Sequence, residues 1–199
     1  MVKDYHFIYH CKGKNYRNSQ LMPLSEDNSI KRIQDFADVL NFIATAKSYC
    51  ACIEYYQTQN AKEFLLLIQT NLLTLYQAAH KLPDINPQDN IAPEPDIASE
   101  SLKKLIAFIA ERLVDNRYYL HLFNPTDESD RDICYGDLLD DIGDIYKDLK
   151  QALLIFDIGT DAAKETAIWE FKFSFATHWG DHCINAIYGS HYFLRKENE

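Results

Sequence analysis

Apolar residues recur at helical spacing along most of the chain, and the breaks between those runs predict five long helices. The first starts after the Asp27, Asn28, Ser29 cluster, whose side chains can accept from free N–H groups, and runs to about Gln57. Its apolar face is read from Ile33, Phe36, Ala37, Leu40, Ile43, Ala44, Ala51 and Tyr55, with Lys47 and Glu54 intruding on the same side. Asn60 followed by Glu63 forms a capping box that opens a second helix, to about Lys81, with Leu65, Ile68, Leu72, Leu75, Tyr76 and Ala79 as its core stripe. The stretch "LPDINPQDNIAPEPD", 82–96, has four prolines and no period, so it reads as an extended linker. Ser99 caps a third helix, to roughly Val114, and the aromatics of "RYYLHLFNPTDESDRD" indicate a packed segment ending at Pro125. A fourth helix begins near Asp137 and breaks at Gly159; a fifth, from about Asp161 to Phe193, is apolar around much of its circumference and is expected at the centre of the bundle. Residues 1–25 lack helical period and are expected to form an N-terminal arm, as a short hairpin or a mobile segment, which leaves 26–199 as one all-α bundle domain.

Composition agrees with a folded domain, since 47% of the 199 residues are hydrophobic and 25% are charged. Thirty acidic against 20 basic residues give a net charge of −10, which argues against nonspecific binding to nucleic acid or an anionic membrane. The N-terminal stretch lacks the apolar core of a secretory signal, and no apolar run is long enough to span a membrane. Five scattered cysteines without a CxxC pair support neither a disulfide framework nor a zinc ribbon, and a reducing cytoplasm fits them.

Charge then singles out "GDLLDDIGDIYKDLKQ", 136–151. At ~100° per residue, Asp137, Asp141, Asp144 and Asp148 fall within about 60° of one another, while Asp140 lies outside the stripe. The core face, from Leu138 through Ile142, Ile145, Tyr146, Leu149 and Leu153 to Phe156, is centred roughly 110° away, and Gly143, Lys147, Lys150 and Gln151 lie opposite it. The stripe therefore occupies a shoulder, where carboxylates meet a neighbouring helix. Like charges three and four residues apart repel by some tenths of a kcal/mol. Asp137, Asp140 and Asp141 are compensated by the helix dipole, but Asp144 and Asp148 need a partner: Lys47, Arg112, Arg117 or a bound Mg²⁺. Structural pairing or solvation is the expected answer, ahead of a polar ligand and then of a metal. "DDIGD" also fits the DDxxD pattern of isoprenoid synthases, and ExxE-type pairs occur in helical nucleotide pyrophosphohydrolases, but the second acidic motif that either enzyme needs is missing.

His178 and His182 stand four apart in "FATHWGDHC", a spacing that lets two imidazoles share a metal. With Ser174, Asp181 and Asn185 they fall on the polar strip of the fifth helix, so the expectation is two exposed histidines, with Cys183 on the other side. Trp169, Phe173, Gly180, Ile184 and Ile187 make its packed side.

The succession "DDIGDIYKDLKQALLIFDIG" and "AIWEFKFSFATHWGDHCINAI", preceded by "PEPD" and "YYLHLFNP", resembles the bacterial family known as domain of unknown function 5063. The resemblance runs from about Asp35 to His191 and rests on Asp140, Asp141, Asp144, Asp148, Leu149, Trp169, Trp179 and Gly180. It implies a compact helical bacterial protein and assigns no activity. The function expected is that of a noncatalytic cytoplasmic binding or protein-interaction module without a cofactor, taking a protein or small molecule at Asp137, Asp141, Asp144, Asp148, Lys47, Glu54 and Trp179. The alternative is a Mg- or Mn-dependent enzyme acting on a phosphorylated small molecule through the stripe. No metal site is favoured; Asp141, Asp144, Asp148, His178 and His182 are the residues that could form one.

Overall fold

A computed structural model describes residues 36–55, 60–87, 97–122, 125–129 and 132–196. The predicted arm over 1–25 and the cap at Asp27, Asn28 and Ser29 lie outside the described residues. Helices α1 (Ala37–Tyr55), α2 (Ala61–Ala79) and α3 (Ser99–Leu113) precede a hairpin of β1 (Tyr118–Leu122) and β2 (Ile133–Asp137). Helix α4 (Leu138–Phe156) follows directly, then α5 (Asp161–Ser174), a π turn (Phe175–Trp179) and α6 (Gly180–Lys196), which run end to end as a fifth helix. The five-helix bundle is therefore present, with a small antiparallel sheet added. No helix among the described residues is long and apolar enough to cross a membrane.

Local sequence sets several boundaries. The Asn60 side chain accepts from Glu63 N at 3.1 Å, as a capping residue should, and Gly159 ends the fourth helical run at φ 89°, a conformation that costs glycine little. Ser99 does not cap α3; that position belongs to Ala98, which offers no side-chain acceptor. Asp137 ends β2 and caps α4, accepting from Leu139 N at 3.0 Å.

Helix α4 packs against α1, α3, α5 and α6 and holds the centre of the bundle that the fifth helix was expected to occupy. Its predicted core face is inward, but Gly143, expected opposite the core, is buried too, because α3 covers that side and a Cβ there would stand 2.7 Å from Ile106 Cδ1. The face of α1 differs from the prediction. Val39, Phe42, Ile43, Ala46, Tyr49, Cys50 and Ile53 are buried, whereas Phe36, Leu40, Ala44, Ala51 and Tyr55 are exposed. This helix carries apolar residues around most of its surface, so contrast between faces is too low to fix its rotation.

The fifth helix departs from its prediction for a different reason. A π turn holds more residues per turn than an α-helix, so the five residues from Phe175 to Trp179 rotate everything after them by roughly 90° relative to an uninterrupted wheel. Beyond the turn, Ile184, expected inside, is half exposed while Cys183 is fully buried, as is Trp179 at the end of the turn; Phe173, also expected inside, is half exposed before the turn begins, where it stacks on Trp169. Trp179 lies against Phe175 and Phe42, and its Nε1–H donates to the Phe171 carbonyl at 3.3 Å. Gly180 permits the wide turn, because a Cβ there would run into the Phe175 carbonyl oxygen.

In the hairpin Tyr118 pairs with Asp137, Tyr119 with Gly136 and Leu120 with Tyr135. Side chains alternate across the pleat, so Tyr119 turns into the bundle while Tyr118, Leu120, Leu122, Ile133 and Tyr135 share an exposed outer face. The sequence reading took this stretch only as a packed segment; five-residue strands leave too short a period to outweigh the helical signal around them.

Candidate functional site

The fold gives every stripe carboxylate a partner, and two of them are histidines. Asp137 takes a bidentate pair from Arg117, with Nε at 2.8 Å and Nη2 at 2.5 Å, which anchors the start of α4 to the strand before it. Asp141 is almost fully buried and accepts from Tyr119 Oη at 2.5 Å, while its other oxygen lies 2.8 Å from His182 Nδ1. Asp148 Oδ2 lies 2.7 Å from His178 Nδ1. Asp144 Oδ2 then faces the far nitrogen of both rings, 3.6 Å from His182 Nε2 and 4.0 Å from His178 Nε2.

The expected pair of exposed histidines is thus corrected. The His182 side chain retains 13% of its exposure and His178 41%, and both turn to α4 because the π turn re-aims the strip they occupy. Their rings meet edge to face at 4.8 Å. Lys47 and Glu54 are not brought to the stripe: Lys47 pairs with Asp157 at 3.0 Å, and Glu54 accepts from Tyr146 Oη and Lys150 Nζ, each at 2.8 Å. Arg112 turns back on its own helix, donating to Phe108 O at 2.9 Å. Trp179 is buried and offers no surface to a partner.

A carboxylate has no proton to give, so Asp148 and Asp141 place the ring protons of His178 and His182 on Nδ1. In the neutral rings the lone pairs are then on the Nε2 atoms, which lie beside Asp144 Oδ2. Three electron-pair donors converge there, all within 4.8 Å of one another, and two kinds of cation could satisfy them: added protons or a metal ion. The hydrogen bond to Asp148 raises the pKa of His178, with the charges of Asp148 and Asp144 adding to it against the effect of burial. Burial pulls His182 down, but the Asp141 hydrogen bond and the charges of Asp141, Asp144 and Asp140 outweigh it and the net shift is upward. Burial pushes the Asp141 carboxyl up, opposed by the hydrogen bonds from His182 and Tyr119.

The nearby buried thiols are held protonated. Burial pushes Cys50 and Cys183 up to about 12, with the Asp141 charge adding to it at Cys183, whose Sγ–H donates to the Leu72 carbonyl at 3.6 Å. A cleft of about 220 Å³ shares Asp144 with the cluster and is lined by the charged side chains of Asp140, Lys147 and Arg117 together with Leu102, Ile106 and Leu139.

The family described as Domain of unknown function (DUF5063) matches residues 34–194, most of the chain and all of the cluster. The chain belongs to this family. The crystal structure of protein BF1032 from Bacteroides fragilis is similar to this DUF5063 chain at 21% identity and a TM-score of 0.70, over 80% of this chain and 94% of that one. That likeness shows a shared fold. No curated protein matches the chain. Family membership accords with the resemblance carried by the acidic helix and the Trp179–Gly180 pair.

Proposed function

We propose that this DUF5063 protein binds a divalent transition-metal ion through Asp144, His178 and His182, and uses the open side of that ion to take a small-molecule ligand. The supporting observation is the convergence of two Nε2 atoms and one carboxylate oxygen on a shared point, with both Nδ1 atoms already held by Asp148 and Asp141. Histidine ligands to metals commonly have such outer carboxylates, which fix the tautomer and make the ring a better donor. Ligands of one tetrahedral ion are about 3.3 Å apart at a metal distance of ~2.0 Å; Asp144 Oδ2 stands 3.6 and 4.0 Å from the two Nε2 atoms and all three donors lie within 4.8 Å of one another, so the rings would draw inward on binding.

Two imidazoles and a carboxylate suit Zn²⁺, Fe²⁺, Co²⁺ or Ni²⁺ better than Mg²⁺, which prefers oxygen ligands and water. The all-aspartate magnesium version loses support, because Asp137, Asp141 and Asp148 are engaged elsewhere. Three protein ligands leave at least one coordination position free, the pattern of sites that bind water or substrate and not of closed structural sites. The adjoining cleft supports a ligand small enough to fit about 220 Å³ and carrying both polar and apolar groups, since charged and aliphatic side chains line it together. A cytoplasmic location belongs to the same proposal, supported by Cys50, Cys52, Cys134 and Cys183 all being free thiols.

Isothermal titration with Zn²⁺, Co²⁺, Mn²⁺ and Mg²⁺ after chelation tests the reading. One equivalent of Zn²⁺ or Co²⁺ bound by the wild type and lost in His178→Ala and His182→Ala supports it; no binding by any of the four ions overturns it. A protein-interaction role draws support from another feature, the exposed outer face of the hairpin, where Leu120, Ile133 and Tyr135 lie together. Light scattering that gives a monomer mass up to high concentration removes the self-associating form of that reading.

A further inference from the structure

We propose that Tyr119 is a positioning residue for the metal site, acting through Asp141 to hold His182 in its ligating orientation. The inference rests on the metal reading above and assigns the hairpin a part in it. Tyr119 Oη donates to Asp141 Oδ2 at 2.5 Å, and Asp141 Oδ1 accepts from His182 Nδ1 at 2.8 Å. A continuous line of hydrogen bonds thus runs from β1 through α4 to α6 and ends at the Nε2 that faces Asp144.

Asp141 sits where water cannot replace a missing donor, since only 4% of it is exposed. Each of its oxygens has one side-chain partner, Tyr119 or His182. Take the hydroxyl away and one oxygen of a buried carboxylate has no donor; the group is then free to turn, and its grip on His182 loosens.

The slot that holds Tyr119 is built by backbone. Gly136 stands opposite it in the hairpin register, and a Cβ at Gly136 would overlap the phenol ring. Gly189, from α6, presses on the same ring, where a Cβ would come within 2.8 Å of Tyr119 Cδ1. Two glycines from separate elements therefore seat one ring, and the ring delivers its hydroxyl to Asp141. Packing alone would be met by phenylalanine. Among the described residues the His178 arm has no such backing: its side chain is 41% exposed and Asp148 is the partner at its Nδ1.

Co²⁺ titration of the chelated full chain, read by d–d absorption, tests the relay. Tyr119→Phe is expected to bind Co²⁺ about ten-fold more weakly with a displaced d–d band, within the range typical of lost outer partners. The loss should vanish in an Asp141→Asn background, because Tyr119 acts through that carboxylate. Wild-type affinity and an unmoved band in Tyr119→Phe would overturn the inference, as would an equal loss in the Asp141→Asn background. Should Tyr119→Phe fail to fold, NMR of the wild type decides: Zn²⁺ must shift the Tyr119 ring signals with saturation at one equivalent and leave exposed Tyr135 unmoved, and unmoved Tyr119 signals refute the relay. A wild type that takes up no metal overturns the metal reading and this inference together, whereas a binding wild type with an unaffected Tyr119→Phe overturns this one alone.

Discussion

Replacing Asp144 by asparagine keeps the shape of the side chain and removes the charge that faces Nε2 of both histidines. With Zn²⁺ at about one hundred times its dissociation constant, the wild type should gain about 2.7 kcal/mol of stability through mass action. For a domain of this size each kcal/mol moves the melting temperature by roughly 2–4 °C, so the expected rise is roughly 5–11 °C. In Asp144→Asn one of three ligands becomes a neutral amide, and the rise at the same zinc concentration should fall to about a quarter of the wild-type value or less. Without metal the substitution should matter little: the Asp144 side chain is 34% exposed and touches the histidines at 3.6 and 4.0 Å, so solvent screens the pairing to about 1 kcal/mol or below. Differential scanning calorimetry of both proteins, chelated and then loaded with Zn²⁺ or Mg²⁺, separates the two effects. A full zinc shift in Asp144→Asn refutes the ligand assignment, and a magnesium shift equal to that of zinc refutes the choice of a nitrogen-rich site.

Other consequences of the fold can be tested without metal. Gly180→Ala should destabilise by about 1–3 kcal/mol in urea unfolding, because its methyl meets the Phe175 carbonyl across the π turn; an unchanged midpoint means that the turn can close around a side chain. Arg117→Ala should cost about 1 kcal/mol, the value of a half-buried bidentate pair, while Asp137 still caps α4. With thiol pKa values pushed up to about 12, Cys50 and Cys183 should alkylate with iodoacetamide at pH 8 about a thousand-fold more slowly than the same thiols in the urea-unfolded chain, as read by peptide mass spectrometry; comparable rates would mean that the core opens locally.

The capping residues Asn60 and Asp137 and the core face of α4 could be read from the chain because each depends on neighbours within about four residues, the reach of a helical turn. The same local reading isolated Asp144 and Asp148 as carboxylates in need of partners, and noticed the pair His178 and His182, without joining the two observations. It misjudged α1, whose Leu40 and Tyr55 are exposed, because small and apolar residues surround that helix and give its rotation no marker. It also proposed Lys47 as a partner, although Lys47 stands beside Asp157.

Sequence by itself therefore determined the helical class and the acidic shoulder of α4, since these follow from periodicity, composition and contacts between near neighbours, and its motifs carried the resemblance to the family. Tertiary structure decided what the shoulder faces. Asp148 meets His178 thirty residues away and Asp141 meets His182 forty-one residues away; His178 sits within the π turn and His182 follows it, so both pairings depend on that turn. One extra residue in a helical turn swings every later side chain by a large fraction of a right angle or more, and no local pattern in "FATHW" announces it.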